Sequence, residues 1–82
     1  MQTIMIDGSR YKSVQDLYLA LQKMLTLPGY FGMNADALND CLSERVKPVD
    51  LWILDHGNED VSAAITLISR VFSDNGGTVK EL

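Results

Sequence analysis

The 82-residue chain holds one cysteine, two prolines, few aromatic residues and only seven basic side chains against eleven acidic ones. Each shortage removes a class of function. A single thiol, Cys41, cannot form an internal disulfide, so a buried core must carry the fold without a covalent cross-link. No apolar run approaches the roughly 20 residues of a membrane span. The N-terminal MQTIMIDGSR lacks a basic region followed by a long apolar stretch, so no secretion signal is expected and the cytoplasm is the simplest compartment. A net charge of −4 speaks against nucleic-acid binding, which needs clustered Lys and Arg to displace counterions. No phosphate-binding loop and no dinucleotide fingerprint are present, and neither a repeat nor a linker interrupts the chain. Residues 1–82 are therefore expected to form one domain. The 46% hydrophobic content fits a globular fold and not a disordered chain.

The pattern predicts strand, two helices, strand, helix, strand. TIMI, residues 3–6, reads as a strand closed by Asp7-Gly8. Ser13 with Asp16 three residues on forms a capping-box-like helix opening. Val14, Leu17, Leu21, Met24 and Leu25 then give that helix one buried face, and Pro28-Gly29 is expected to end it. Residues 30–33 form a loop in which Tyr30 is expected outward and Phe31 inward. Asn34 is a good cap for the second helix, with Ala35, Leu38, Leu42 and Val46 on its buried face, Cys41 at the edge and Pro48 at the end. VDLWIL, residues 49–54, is apolar on both sides, as expected for a strand in mid-sheet, with Trp52 in the core. Asn58 caps a third helix with Glu59 and Asp60 in its first turn. Its stripe is Val61, Ala64, Ile65, Ile68, Val71 and Phe72, and Asn75-Gly76-Gly77 is its stop. TVKEL is a weaker third strand. Helical crossovers between strands imply an α/β fold with a parallel sheet.

The second helix poses a question of charge. Asp36, Asp40 and Glu44 stand four residues apart, so they are neighbours in one row facing away from Leu38 and Leu42. Like charges at that spacing destabilise a helix by about 0.2–0.5 kcal/mol per pair. The helix dipole offsets part of this at Asp36. Asp40 has no such help, because its neighbours one turn away are Ala37, Ser43, Asp36 and Glu44. Only Glu44 has a local candidate partner, Lys47. The row is either a plain solvated face or a bank of anions held for a cationic surface, and spacing alone leaves both open. A hydrolase or metal-dependent enzyme built from Asp36, Asp40 and His56 is a second possibility, since carboxylate and imidazole suit divalent ions. His56 follows Asp55 at the end of a strand, where open α/β sheets place functional residues, although a loop histidine touching solvent is the simpler account. An interaction module for some other basic protein is a third. No nucleophile elbow surrounds Ser62 or Cys41, and no cofactor or metal is expected.

The segment LTLPGYFGMNADALNDCL resembles the signature region of the barstar family, intracellular inhibitors of barnase-type ribonucleases. The shared pattern runs through Leu27-Pro28, Tyr30-Phe31-Gly32, Asn34, Asp36-Ala37-Leu38 and Asp40-Cys41-Leu42. The resemblance implies a two-layer α/β fold, with a three-stranded parallel sheet in order 1-2-3 and the helices in a second layer. It implies no cofactor, and a basic, extracellular-type ribonuclease bound 1:1, its cleft blocked by the second helix and the preceding loop. Asp40 would meet the cationic groups that handle the scissile phosphate and Asp36 a neighbouring basic residue. Tyr30 would pack on the nuclease, Asn34, Ala35 and Ala37 would line the contact, and Asn39, Ser43 and Glu44 would complete it. The chain departs from the family at Met33, an acidic position, at Asn39, a bulky aromatic one, and at Glu44-Arg45, where the family has Gly-Trp. It also lacks the late-helix glutamate, with Val71 or Phe72 in that region.

Overall fold

The computed structural model describes residues 2–82. Strand β1 (Gln2–Asp7) leads through a single 3-10 turn to α1 (Val14–Met24) and α2 (Ala35–Ser43). Strand β2 (Val49–Asp55), helix α3 (Glu59–Asp74) and strand β3 (Val79–Glu81) complete the chain. The strands pair in parallel in the order β1-β2-β3. This is the α/β fold expected, with the central strand in its expected place.

All three helix starts are capped as their sequences predict. Ser13 accepts from the Asp16 amide at 3.2 Å, Asn34 from Ala37 at 2.8 Å and Asn58 from Val61 at 2.9 Å. Each bond satisfies one of the amides that a helix leaves unpaired at its start.

Side chains alternate across the pleated strands, and only one face of the sheet is covered. Ile4, Ile6, Val49, Leu51 and Ile53 are buried on it, against Leu17, Leu21, Leu38, Leu42, Ile65, Ile68 and Phe72 of the helices. On the opposite face Met5 pairs with Trp52, and Trp52 with Lys80, in one row across the three strands. Here the structure corrects two expectations. Strand β2 is not buried on both sides, and Trp52 is half-buried on the open face, where the Lys80 ammonium lies 5.4 Å from its ring centroid. The reason is chain length: a domain this small supplies one layer of helices, so Met5 and Leu54 remain exposed.

Both early helices end sooner than expected. Helix α1 stops at Met24, ahead of Pro28. The Leu27 amide bonds to the Gln22 carbonyl at 2.9 Å and the Thr26 amide to Lys23 at 3.3 Å, the paired bonds of a Schellman motif. Helix α2 stops at Ser43, and Val46, expected on its buried face, is almost wholly exposed. The register of the sheet requires this, since Val49 pairs with Gln2 and the chain must turn back toward the first strand. Pro48 adds to it by disfavouring helix at Lys47.

Helix α3 closes with the same motif as α1, here with Gly76 in the left-handed region at φ +85. The Gly77 amide bonds to the Phe72 carbonyl at 2.9 Å and Gly76 to Ser73 at 3.1 Å. The chain then passes against β2 so closely that a Cβ on Gly77 would lie 2.0 Å from the Val49 carbonyl oxygen. Neither partner there is a movable side chain. Replacing Gly77 by Ala should therefore destabilise the fold by about 3 kcal/mol, the upper part of the overpacking range. Urea unfolding checks this, and a change below 1 kcal/mol would show that β3 can shift freely.

Candidate functional site

The loop between α1 and α2 is shaped by backbone conformations that glycine would adopt more readily. Thr26 (φ 53) and Met33 (φ 55) both lie in the left-handed region, one at each end of the loop. Thr26 is the residue after the α1 C-cap, the position where such motifs favour Gly, and a β-branched residue there is a marked exception. Between them the Phe31 amide bonds to the Pro28 carbonyl at 3.0 Å, closing a tight turn, and Gln22 Nε2 donates to the same carbonyl at 3.0 Å.

That turn separates its two aromatics as expected. Phe31 is buried, tilted against the Tyr18 ring with centroids 6.2 Å apart, whereas Tyr30 is 88% exposed. Burial pushes the Tyr18 phenol up from its ordinary value. Asn34 is committed to the backbone, accepting from Ala37 while its Nδ2 donates to the Gly32 carbonyl at 3.1 Å. It shapes the approach to α2 more than it presents a free carboxamide. Ala37 lies close beneath Gly32, where a Cβ would come within 3.2 Å of the Ala37 methyl.

Asp36, Asp40 and Glu44 are exposed, as are Asn39 and Ser43, while Ala35 and Ala37 are half-buried. Among the described residues the ion pairs are Arg10–Asp7 at 3.9 Å and His56–Glu81, so no pair involves the α2 carboxylates. Lys47 does not pair with Glu44, contrary to the local expectation. The nearby Arg45 is also turned elsewhere. Its guanidinium donates to the Leu25 carbonyl at the end of α1 and approaches the Gln2 side chain at 3.4 Å. A cation at a helix C-terminus is favoured by the dipole, and this contact turns the Arg45 charge toward α1 and away from the acidic row. The Ser43 hydroxyl bonds back to the Asp40 carbonyl at 2.8 Å, leaving the Asp40 carboxylate free of it.

An open groove of about 710 Å³ runs between the loop and α2, lined by Pro28, Phe31 and Ala37 and bordered by Tyr30, Asp40, Glu44 and Arg45. Cys41 also lines it. Burial, with the Glu44 and Asp40 charges behind it, pushes the Cys41 thiol up, so this cysteine stays protonated and poorly nucleophilic. The groove gathers loop and helix residues that were predicted separately. Thr26, Leu27, Pro28, Cys41 and Arg45 also belong to it; all but Arg45 lie within the signature segment, and Arg45 joins them through its reach to the end of α1.

The residues of the hydrolase alternative are not brought together in this way. His56 pairs with Glu81 across β2 and β3, and no group of three or more His, Cys, Asp or Glu side chains among the described residues is arranged to hold a metal ion. No helix of the described residues is long and apolar enough to cross a membrane.

A single parallel sheet under one helical layer, with an unpaired anionic helix face beside a loop-borne tyrosine, defines a two-layer α/β scaffold. The chain belongs to the family described as Barstar (barnase inhibitor), whose model matches residues 1–73. A protein of Bacillus subtilis (strain 168) named "Putative ribonuclease inhibitor YrdF" is 42% identical over 43 residues, which is 52% of this chain and 47% of that protein. The match thus spans about half of the relative's length.

The strained end of α1 yields a direct test. Thr26→Gly relieves the left-handed backbone and should raise stability by about 1 kcal/mol, read as a higher urea midpoint. A lower midpoint would show that contacts of the threonine side chain outweigh the backbone strain.

Proposed function

We propose that this protein is a non-catalytic inhibitor of a basic, barnase-type ribonuclease. It seats the 30–34 loop and α2 in the nuclease active-site cleft as a 1:1 complex, protecting a host cytoplasm from the enzyme. The observation that carries this reading is the pair Asp36 and Asp40, exposed one turn apart with no ion partner among the described residues, in a member of the barstar family. The name of the Bacillus subtilis relative points the same way.

The chemistry follows from what a ribonuclease cleft must contain. Cations there hold the scissile phosphate, and a carboxylate offers a pair of oxygens that one arginine fork can engage bidentately. Asp40, on the border of the groove, is the main anchor, and Asp36 takes a neighbouring basic residue. Tyr30 stands out of the loop as an amphipathic contact. Ala35 and Ala37 keep that side of the helix low enough for close approach, with Asn34 holding the loop and Ser43 and Glu44 extending the rim. The net charge of −4 steers encounter with a basic nuclease and makes the association rate salt-sensitive. The inhibitor blocks the substrate site and turns nothing over.

Titration of barnase activity with the purified protein tests the reading. Asp40→Ala should weaken inhibition by about 3 kcal/mol, within the range for truncating one partner of a buried charge pair, a range to which barnase and barstar themselves contribute. Its own unfolding free energy should change by less than about 0.5 kcal/mol, because the side chain is exposed and relieved of like-charge neighbours. Undiminished inhibition by Asp40→Ala removes the aspartate from its role. If the wild-type protein slows no barnase-type ribonuclease at low salt, the proposal itself is lost.

A further inference from the structure

Helix α2 has nine residues, of which only Leu38 and Leu42 are buried. A helix so short is held by tertiary contacts and not by its own propensity. Two leucines four apart lie almost in line along the axis, and the half-buried Ala37 and Cys41 that pack beside them lie on one flank only, so the other flank needs a tie of its own to fix rotation about that line. Something must set the angle at which the carboxylates face outward.

At 3.6 residues per turn, successive side chains are about 100° apart. Measured from the midpoint of Leu38 and Leu42, Asn39 lies about 80° around one flank, Cys41 about 80° around the other, and Asp36 and Asp40 about 140° and 180° away. The Cys41 flank borders the groove. The Asn39 flank meets α3, where Asn75 Nδ2 donates to Asn39 Oδ1 at 2.8 Å and also to the Val71 carbonyl at 2.8 Å. Asn75 is half-buried and is the α3 C-cap, its amide bonded to Val71 and Phe72 at 3.2 Å. With one N–H tied to its own helix, its carboxamide has a fixed orientation, and the other N–H points at α2.

We propose that Asn75 is a positioning residue for the acidic face: through Asn39 it fixes the rotation of α2, and so the direction of Asp36 and Asp40. This rests on the inhibitor reading above and goes beyond it by assigning the exposed Asn39 to a bond within the inhibitor instead of to the nuclease contact. The lever is short. Side chains reach about 5–6 Å from the helix axis, so a 20° roll moves a carboxylate by about 2 Å. Charge-assisted hydrogen bonds tolerate only a few tenths of that.

The test is a double-mutant cycle of Asn39→Ala, Asn75→Ala and the pair, read by titration of barnase, with amide hydrogen exchange on the free proteins. Each single variant should weaken inhibition about tenfold and the double variant no further, since either change breaks the same link. Exchange of the α2 amides should accelerate about tenfold in Asn75→Ala, with β2 amides unchanged. If Asn39 instead touches the nuclease, Asn39→Ala weakens inhibition and Asn75→Ala does not, which overturns the assignment. Stability losses with unchanged affinity in both singles overturn it too, by showing a merely structural contact. If the wild-type protein fails to inhibit barnase, the inhibitor reading falls while exchange still decides the link: unaltered α2 protection in Asn75→Ala sinks it.

Discussion

The structure depends on how a short helix is kept in place while its outer side is crowded with like charge. Leu38 and Leu42 supply the burial that binds α2 to the core. The Asp36, Asp40 and Glu44 row opposes its formation, and contacts at its ends and on its flanks compensate. Asn34 satisfies the start. Arg45 reaches back to the carbonyl of Leu25, tying the far end to α1. The helix is therefore stable through its surroundings, and its carboxylates stay exposed, with Arg45 turned to α1 and Lys47 not paired with Glu44.

The loop before α2 follows the same logic at the level of backbone. Two non-glycine residues in left-handed conformations, Thr26 and Met33, mark the points where the chain leaves α1 and enters α2. Phe31 is driven under Tyr18 and the turn from Pro28 holds Tyr30 out. Strain of this kind persists only where the surrounding structure over-determines it, and it concentrates at functional segments. Met33 takes the strained backbone position, and Asn39 and Arg45 make intramolecular bonds. Asn39 and Arg45 thus act as internal ties, while Asp36 and Asp40 remain exposed.

Much of the fold was legible because its signals are local. Ser13, Asn34 and Asn58 announce their helices by residue type and spacing, and Gly76 announces the end of α3. The end of α1 was missed because Thr26 stands where glycine would have been the signal, and Pro28, one residue beyond the end of the motif, drew the boundary to itself. Val46 continued a helical periodicity that the sheet register overrules. Trp52 read as core because VDLWIL is mostly apolar, although Asp50 marked the open face: its carboxylate accepts from the Thr78 amide at 2.8 Å and guides the chain into β3. In the site, the acidic row and the outward Tyr30 could be read from four-residue spacing and turn chemistry. The Asn39–Asn75 bond joins residues 36 apart in sequence, and Arg45 crosses to Leu25. No window of local sequence contains either contact.

The open side of the sheet has a practical spectroscopic meaning. Trp52 is the sole tryptophan and lies beneath Lys80 on the surface turned away from the helices. Its emission is governed by that ammonium and by water at the strand surface. The indole is thus a built-in fluorescent gauge of the open sheet face, on the side of the sheet away from the helices.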